Sequence, residues 1–463
     1  VRILLVVYDN DSYISWFPQG LAYIAAVLRK HGHEVVIYNQ DVYHWPESHL
    51  TALLDREKFD VVGVSIIAGY YQYKKLLKLS TAINDSKNRP YYLLGGHGPA
   101  PDPEYFMAKT GADVIGIGEG EITVVEILQA LEGKRAMSSV NGIAYCEKGR
   151  CVKTPVRALI ENIDEVDFPA WDLFPMDHYA LLRSFPHISN GERCLPVLSG
   201  RGCTFECNFC YRMDTGFRPR SVENILEELR ILHTDYNVTC IEFSDELLMS
   251  SEQRTIEICE GFLRSGIKIK WGCNGRLNYA KPHVLELMKT SGCVFINYGI
   301  ESLDQKALDT MKKGLSVRMI HDGIRNTLDA GISPGYNIIF GNIGETRESL
   351  QLGVDFLLKF SDFSQMRTIR PVTPYPGSPL YYHAIEKGLL KGCEDFYENK
   401  HLNSDLLSIN FTDMSDEVAH LALFEANRTL IDAYFGHARD SVIARARKLY
   451  VERDETFRGF RHG

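Results

Sequence analysis

Cys203, Cys207 and Cys210 stand close together in the stretch GRGCTFECNFCYRM, with three and then two residues between them. Three thiolates on one short loop can hold iron or zinc. A structural zinc site needs a fourth ligand at matching spacing, and none of the other cysteines makes a second such pair. A four-iron, four-sulfur cube held by three thiolates leaves one iron open, and an open iron can take a small bidentate ligand. The spacing therefore predicts a metal centre with one position kept for a substrate.

Other polar groups fall at the ends of apolar runs. They are Asp245 and Glu246 in FSDELLM, Asn274 and Arg276 in GCNGR, Glu301 in YGIES, and Asn342 in FGNIGE. A carboxylate can accept both hydroxyls of a ribose, and Arg276 can pair with a carboxylate. Taken singly, each acid reads equally well as a salt-bridged group. Their joint placement at successive strand ends points to a site. Two glycine turns, GGHGP (Gly95–Pro99) and GIGEGE (Gly116–Glu121), allow close backbone approach by a large flat ligand. The GxGxxG dinucleotide fingerprint is missing after the first strand. Cys146 and Cys151 flank a hairpin turn in CEKGRC.

The elements that must position these groups follow from periodicity. Over residues 1–133, short apolar runs such as RILLVVY, EVVIYNQ, DVVGVSIIA and YYLLG alternate with helical segments. Such alternation predicts βαβ units and a doubly wound, Rossmann-like parallel sheet, whose ligands bind beyond the carboxyl ends of the strands. Residues 134–193 read as a hairpin and an ordered linker rich in proline and aromatics. Residues 194–385 carry six more strand–helix units, a partial (βα)6 barrel with its site at the strand carboxyl ends. The cysteine loop follows the first of these strands. Residues 386–463 read as a helical region.

CxxxCxxC with an aromatic, Phe209, before the last cysteine, placed after the first barrel strand, resembles the radical SAM superfamily. Together with LLGGHGPAP, DVIGIGEGE, TPVRALIENIDEVDFPAWDLFP and RPVTPYPGSPLYYHAIEKGLL, it resembles the cobalamin-binding radical SAM class over about residues 1–390. That class includes methylases and the anaerobic ring cyclase of bacteriochlorophyll synthesis. The resemblance implies three cofactors: a [4Fe–4S] cluster on Cys203, Cys207 and Cys210, S-adenosylmethionine, and cobalamin. It assigns Phe209, Asp245, Glu246, Asn274, Arg276, Glu301 and Asn342 to S-adenosylmethionine. It assigns Tyr13, Ser65, Ile66, Gly69, Tyr70, Gly95, Gly96, His97, Gly118, Glu119, Gly120 and Glu121 to cobalamin. The DxHxxG motif that supplies a histidine to cobalt is missing, so His97 is expected in the turn or at the corrin edge.

The implied activity is methyl transfer from S-adenosylmethionine, via methylcobalamin, to an unactivated carbon, with a side chain of a peptide or protein as the favoured acceptor. A non-methylating, ring-forming or rearranging enzyme of tetrapyrrole, lipid or antibiotic synthesis is the alternative. The radical chemistry belongs to the cofactors, so no protein side chain is assigned a catalytic role. A flavodoxin- or ferredoxin-type electron donor is the implied partner.

The net charge of -9 argues against a nucleic-acid partner. No apolar run is long enough to cross a bilayer, and the opening VRILLVVY lacks an export pattern, so a cytoplasmic location is expected. Eleven cysteines in such a chain read as buried thiols and ligands rather than a disulfide framework. The arginine-rich final stretch reads as a solvated helix face, with docking of a substrate or partner as the minority reading.

Overall fold

The computed structural model describes residues 1–12, 16–181, 188–189, 191–212 and 215–454. Five apolar runs form parallel strands: β1 (Arg2–Val7), β2 (Glu34–Asn39), β3 (Val61–Ser65), β4 (Tyr91–Gly95) and β5 (Val114–Gly116). The run of buried side chains along β1 and β3 fits strands covered by helices on both faces. The hairpin of the connecting segment, β6 (Ile143–Glu147) and β7 (Arg150–Lys153), adds to the same sheet as an antiparallel edge. The full order is β2-β1-β3-β4-β5-β6-β7. Chain direction across the sheet reverses its sequence order between β1 and β3, and a crevice opens at such a switch point.

The second sheet begins with β8 (Cys194–Val197). A short antiparallel pair, β9 (Gly200–Arg201) and β10 (Arg218–Pro219), then brackets the cysteine loop. The sheet continues through β11 (Cys240–Phe243), β12 (Lys270–Gly275), β13 (Cys293–Glu301), β14 (Ser333–Phe340) and β15 (Arg370–Pro371). All six barrel strands run parallel in the order β15-β14-β13-β12-β11-β8, an open half-barrel. Its helices carry side-chain caps, as at Ser221, Ser251, Ser316 and Thr346, which satisfy otherwise unpaired amides.

The aromatic linker is packed between the two sheets. Phe17 stacks on Trp171 at 4.5 Å and meets Phe174 and Tyr179 edge-on at 5.1 and 5.4 Å. The chain also returns to the first sheet after the barrel. Tyr397 stacks on Tyr73 at 4.6 Å, Glu398 accepts a hydrogen bond from the Tyr73 hydroxyl, and Lys109 pairs with Glu394 at 2.9 Å. The final region carries short helical turns at Cys393–Asp395 and Phe396–Lys400 and, after an irregular stretch, a long helix, Asp416–Tyr450, capped by Ser415. That helix buries Ala419, Ala422, Leu423, Ala426 and Leu430 and nothing further along, so its arginine-bearing end is solvated. Among the described residues no helix is long and apolar enough to cross a membrane.

Candidate functional site

The cysteine loop is anchored before any ligand is considered. Asn208, between Cys207 and Cys210, exchanges two side-chain hydrogen bonds with Asn342 at 3.1 and 3.0 Å. Its backbone amide donates to the Met311 carbonyl at 2.9 Å, and its carbonyl accepts from Leu380 at 2.8 Å. Asn342, expected to face a ligand, is instead fully buried and occupied in holding this loop to the end of β14.

The three thiols line a cavity of about 230 Å³ together with Tyr211, Glu246, Asn274, Arg276, Asn297, Lys313 and Asn337. No three acids, cysteines or histidines among the described residues converge as the ligands of one ion would. The thiols instead surround a space, which suits a multi-atom cluster. Arg276 lies 3.3 Å over the Phe205 ring and donates to the Lys313 carbonyl. Lys313 pairs with Glu301 at 2.8 Å, both side chains being 8% exposed. A hydrogen bond from Cys210, with the Lys313 and Arg276 cations nearby, draws the Cys207 thiol down despite its burial.

Amides link the neighbouring strand ends: Asn297 donates to Asn274 and Asn274 to the Asp245 carbonyl, each at 3.1 Å. Asp245 turns inward. Its carboxylate accepts from the Ser199 amide and hydroxyl, both at 2.7 Å, and burial pushes it up to about 6. Glu246 is the acid of that pair that faces the cluster cavity. Glu301 is committed to Lys313, and Phe209 lies beside the Lys313 ammonium, 5.8 Å from its ring centre, outside the cavity lining. Lys313, Asn297 and Asn337 were not legible as site residues, because no motif surrounds them.

A larger cavity of about 910 Å³ opens at the β1/β3 switch point. Ser65, Ile66, Gly95, Gly96, His97, Gly118, Glu119, Gly120 and Glu121 line it, as do Tyr8, Trp16, Gln72 and Leu198. Gly69 and Tyr70 do not; they begin the helix Tyr70–Asn84, whose first turn presents Gln72 instead. Tyr13 lies outside the described residues. Gly96 has φ +95°, and a Cβ there would come 2.2 Å from the Ile66 carbonyl oxygen. The glycine keeps this wall thin and its backbone close to whatever fills the cavity.

The two cavities adjoin. Glu246 lines both, and His97 of the larger meets Tyr211 of the smaller edge-on at 6.2 Å. Across the junction runs an ion-pair clamp. Arg201 reaches Glu119 at 2.9 Å and Glu121 at 2.5 Å, and Arg218 reaches Glu119 at 3.0 Å. The Ile160 amide donates to Glu119 at 2.8 Å. Glu119 and Glu121 thus tie the GIGEGE turn of the first sheet to β9 and β10, the short pair that brackets the cysteine loop.

The donor sets fit the groups implied. Three soft thiolates without a fourth suit a cluster with an open position. A bulky, largely apolar cavity under glycine turns suits a macrocycle. The comparisons agree. The B12 binding domain matches residues 6–128 and the radical SAM superfamily residues 197–357. An uncharacterized methyltransferase of Pyrococcus horikoshii is 31% identical over 402 residues, covering 84% of each chain. The anaerobic magnesium-protoporphyrin IX monomethyl ester cyclase of Rubrivivax gelatinosus is 26% identical, covering 81% of this chain and 67% of its own. The radical S-adenosylmethionine methyltransferase TsrM from Kitasatospora setae, solved with cobalamin and a [4Fe-4S] cluster, superposes with a TM-score of 0.68 at 16% identity, covering 83% of this chain and 75% of that one. A doubly wound sheet and a half-barrel with adjoining cavities are the architecture of a cobalamin-binding domain joined to a radical SAM domain. This chain belongs to the cobalamin-binding radical SAM family, and it is an enzyme of the B12-dependent radical SAM methyltransferase type. Its cofactors are those of the family: cobalamin, S-adenosylmethionine and a [4Fe–4S] cluster.

Proposed function

We propose that the enzyme methylates an unactivated carbon, on a side chain of a peptide or protein, at the junction of the two cavities. The observation that carries this reading is the adjoining of the cavities, with Glu246 in the wall of both. When bound, the cluster and S-adenosylmethionine supply reductive cleavage of a carbon–sulfur bond, and cobalamin supplies a methyl carrier. An oxygen or nitrogen acceptor needs none of this, because its lone pair can take a methyl group directly from a sulfonium. Carbon without a lone pair does. The arginines of the final helix motivate an acceptor within a peptide or protein.

In this reading Cys203, Cys207 and Cys210 hold the cluster, and Arg276 and Glu246 orient S-adenosylmethionine through its carboxylate and ribose. Asn274 and Asn297 set the strand ends, while Lys313 and Glu301 buttress the pocket floor. Placing the acceptor between two bound groups supplies proximity. The electron donor is of the flavodoxin or ferredoxin type.

Anaerobic turnover with methyl-deuterated S-adenosylmethionine and peptide extract tests the function. Equal yields of 5′-deoxyadenosine and S-adenosylhomocysteine, with a labelled methyl on carbon, are expected. Deoxyadenosine without a methylated product overturns it and favours a ring-forming reaction, as in the Rubrivivax relative. Gly96→Ala tests the larger cavity. The added Cβ meets the Ile66 carbonyl at a backbone angle that L-residues resist, so cobalamin affinity should fall at least about tenfold, about 1.4 kcal/mol. Equilibrium dialysis measures it, and unchanged cluster content shows that the fold persists.

A further inference from the structure

Cys146 and Cys151 are direct cross-strand partners in the β6–β7 hairpin. The turn between them is held by Lys148 and Gly149, both left-handed at φ 49° and 77°. Two such residues make the tight hairpin turn that fixes register, so the two cysteines cannot slip past one another. The amide of Cys146 donates to the Asp113 carbonyl, at 3.1 Å, on the β5 side. In an antiparallel strand the N–H and C=O of one residue point the same way, so the Cys146–Cys151 pair is a non-hydrogen-bonded one. Such pairs bring Cα atoms to about 4.5 Å with their side chains on one face. Disulfides span Cα separations of about 4.4–6.8 Å.

Access separates this pair from the thiols outside the cluster loop. Cys146 is exposed and Cys151 half-buried, whereas Cys194, Cys240, Cys259, Cys273, Cys293 and Cys393 are buried. The hairpin forms the outer edge of the first sheet, so a reagent reaches it without opening the fold.

We propose that Cys146 and Cys151 are a reversible dithiol–disulfide site that reacts with small-molecule disulfides. The thiolate of one cysteine attacks a sulfur of the reagent, releasing one small thiol and leaving a mixed disulfide. The neighbouring cysteine displaces the second small thiol and closes the cross-strand bridge. The two protein thiols lose two electrons and two protons, and the reagent gains both as two thiols. Ring closure outruns the second bimolecular attack because the partner sulfur is held alongside.

The test uses cluster-loaded protein, held anaerobically with oxidised glutathione, then alkylated and digested with trypsin. Lys148 and Arg150 lie between the two cysteines, so cleavage there separates them unless a bridge joins the fragments. The expected result is a joined pair of tryptic fragments, loss of two alkylatable thiols, unchanged iron content, and full reversal by a dithiol reductant. In Cys151→Ser the glutathione adduct should persist on Cys146. A persistent adduct on either cysteine of the unaltered protein, or two thiols that stay fully alkylatable, overturns the proposal.

Discussion

Cys207→Ala should abolish reductive cleavage of S-adenosylmethionine, with a loss of at least about a thousandfold, near 4 kcal/mol of transition-state stabilisation. Cys207 is 5% exposed, at the centre of the loop, with a thiol drawn toward its ionised form by Cys210, Lys313 and Arg276. With alanine there, two thiolates cannot retain a cube. Iron and sulfide per chain, and the visible charge-transfer absorption, should fall together with activity. The polypeptide should still fold. The loop hangs on Asn208, through Asn342, Met311 and Leu380, and none of those contacts uses a cysteine side chain. A full cluster in Cys207→Ala would show that another donor completes the cube, and the reading of an open iron would fall with it.

The second large effect belongs to Arg201. Its guanidinium is 16% exposed, forks between Glu119 and Glu121, and lies 5.5 Å over Tyr23. Arg201→Gln leaves Glu121, at 9% exposure, without that cation, and breaking a buried pair from one side costs about 3–5 kcal/mol. Arg218 still holds Glu119, so the damage concentrates at the GIGEGE turn. The cluster cavity does not include Arg201 in its lining, whereas the larger cavity does. Deoxyadenosine formation should therefore survive better than methyl transfer, and the ratio of deoxyadenosine to methylated product should rise at least about tenfold (about 1.4 kcal/mol). Arg201→Lys should recover only part of the coupling, since an ammonium cannot span two carboxylates as a planar fork does. If both products fell in proportion, the clamp would be a stabilising contact without influence on how the two halves cooperate.

Much of the architecture was legible. β1, β3 and β4 are short apolar runs between helical repeats; β1 and β3 are buried on both faces, as their composition implies, whereas β4 alternates between buried and half-buried side chains. The strand-to-loop transitions at Cys203, Glu246, Asn274 and Glu301 could be placed because polar residues end the apolar runs. The hairpin around Lys148-Gly149 was visible as a turn, but its attachment to β5 was not, because an edge pairing leaves no local pattern.

The individual roles of site residues were harder to read. Asn342 ends a strand just as Asn274 does, yet one pairs with Asn208 while the other borders the cluster cavity. Glu119 and Glu121 looked like ligands of a glycine turn. They are both partnered by Arg201, 82 and 80 residues further along, in another sheet. Lys313 follows a helix with no motif around it, yet its ammonium borders the cluster cavity.

The amino-acid order alone determined which cofactor chemistry the chain can support, since three thiols at that spacing, without a fourth, depend only on neighbours along one loop. It also determined the succession of strands and helices, since periodicity is a local property. Only the tertiary structure decided which acids face a ligand and which hold two sheets together. Those assignments depend on which charge lies opposite, and residues far apart in the chain become opposite only once the two sheets have packed.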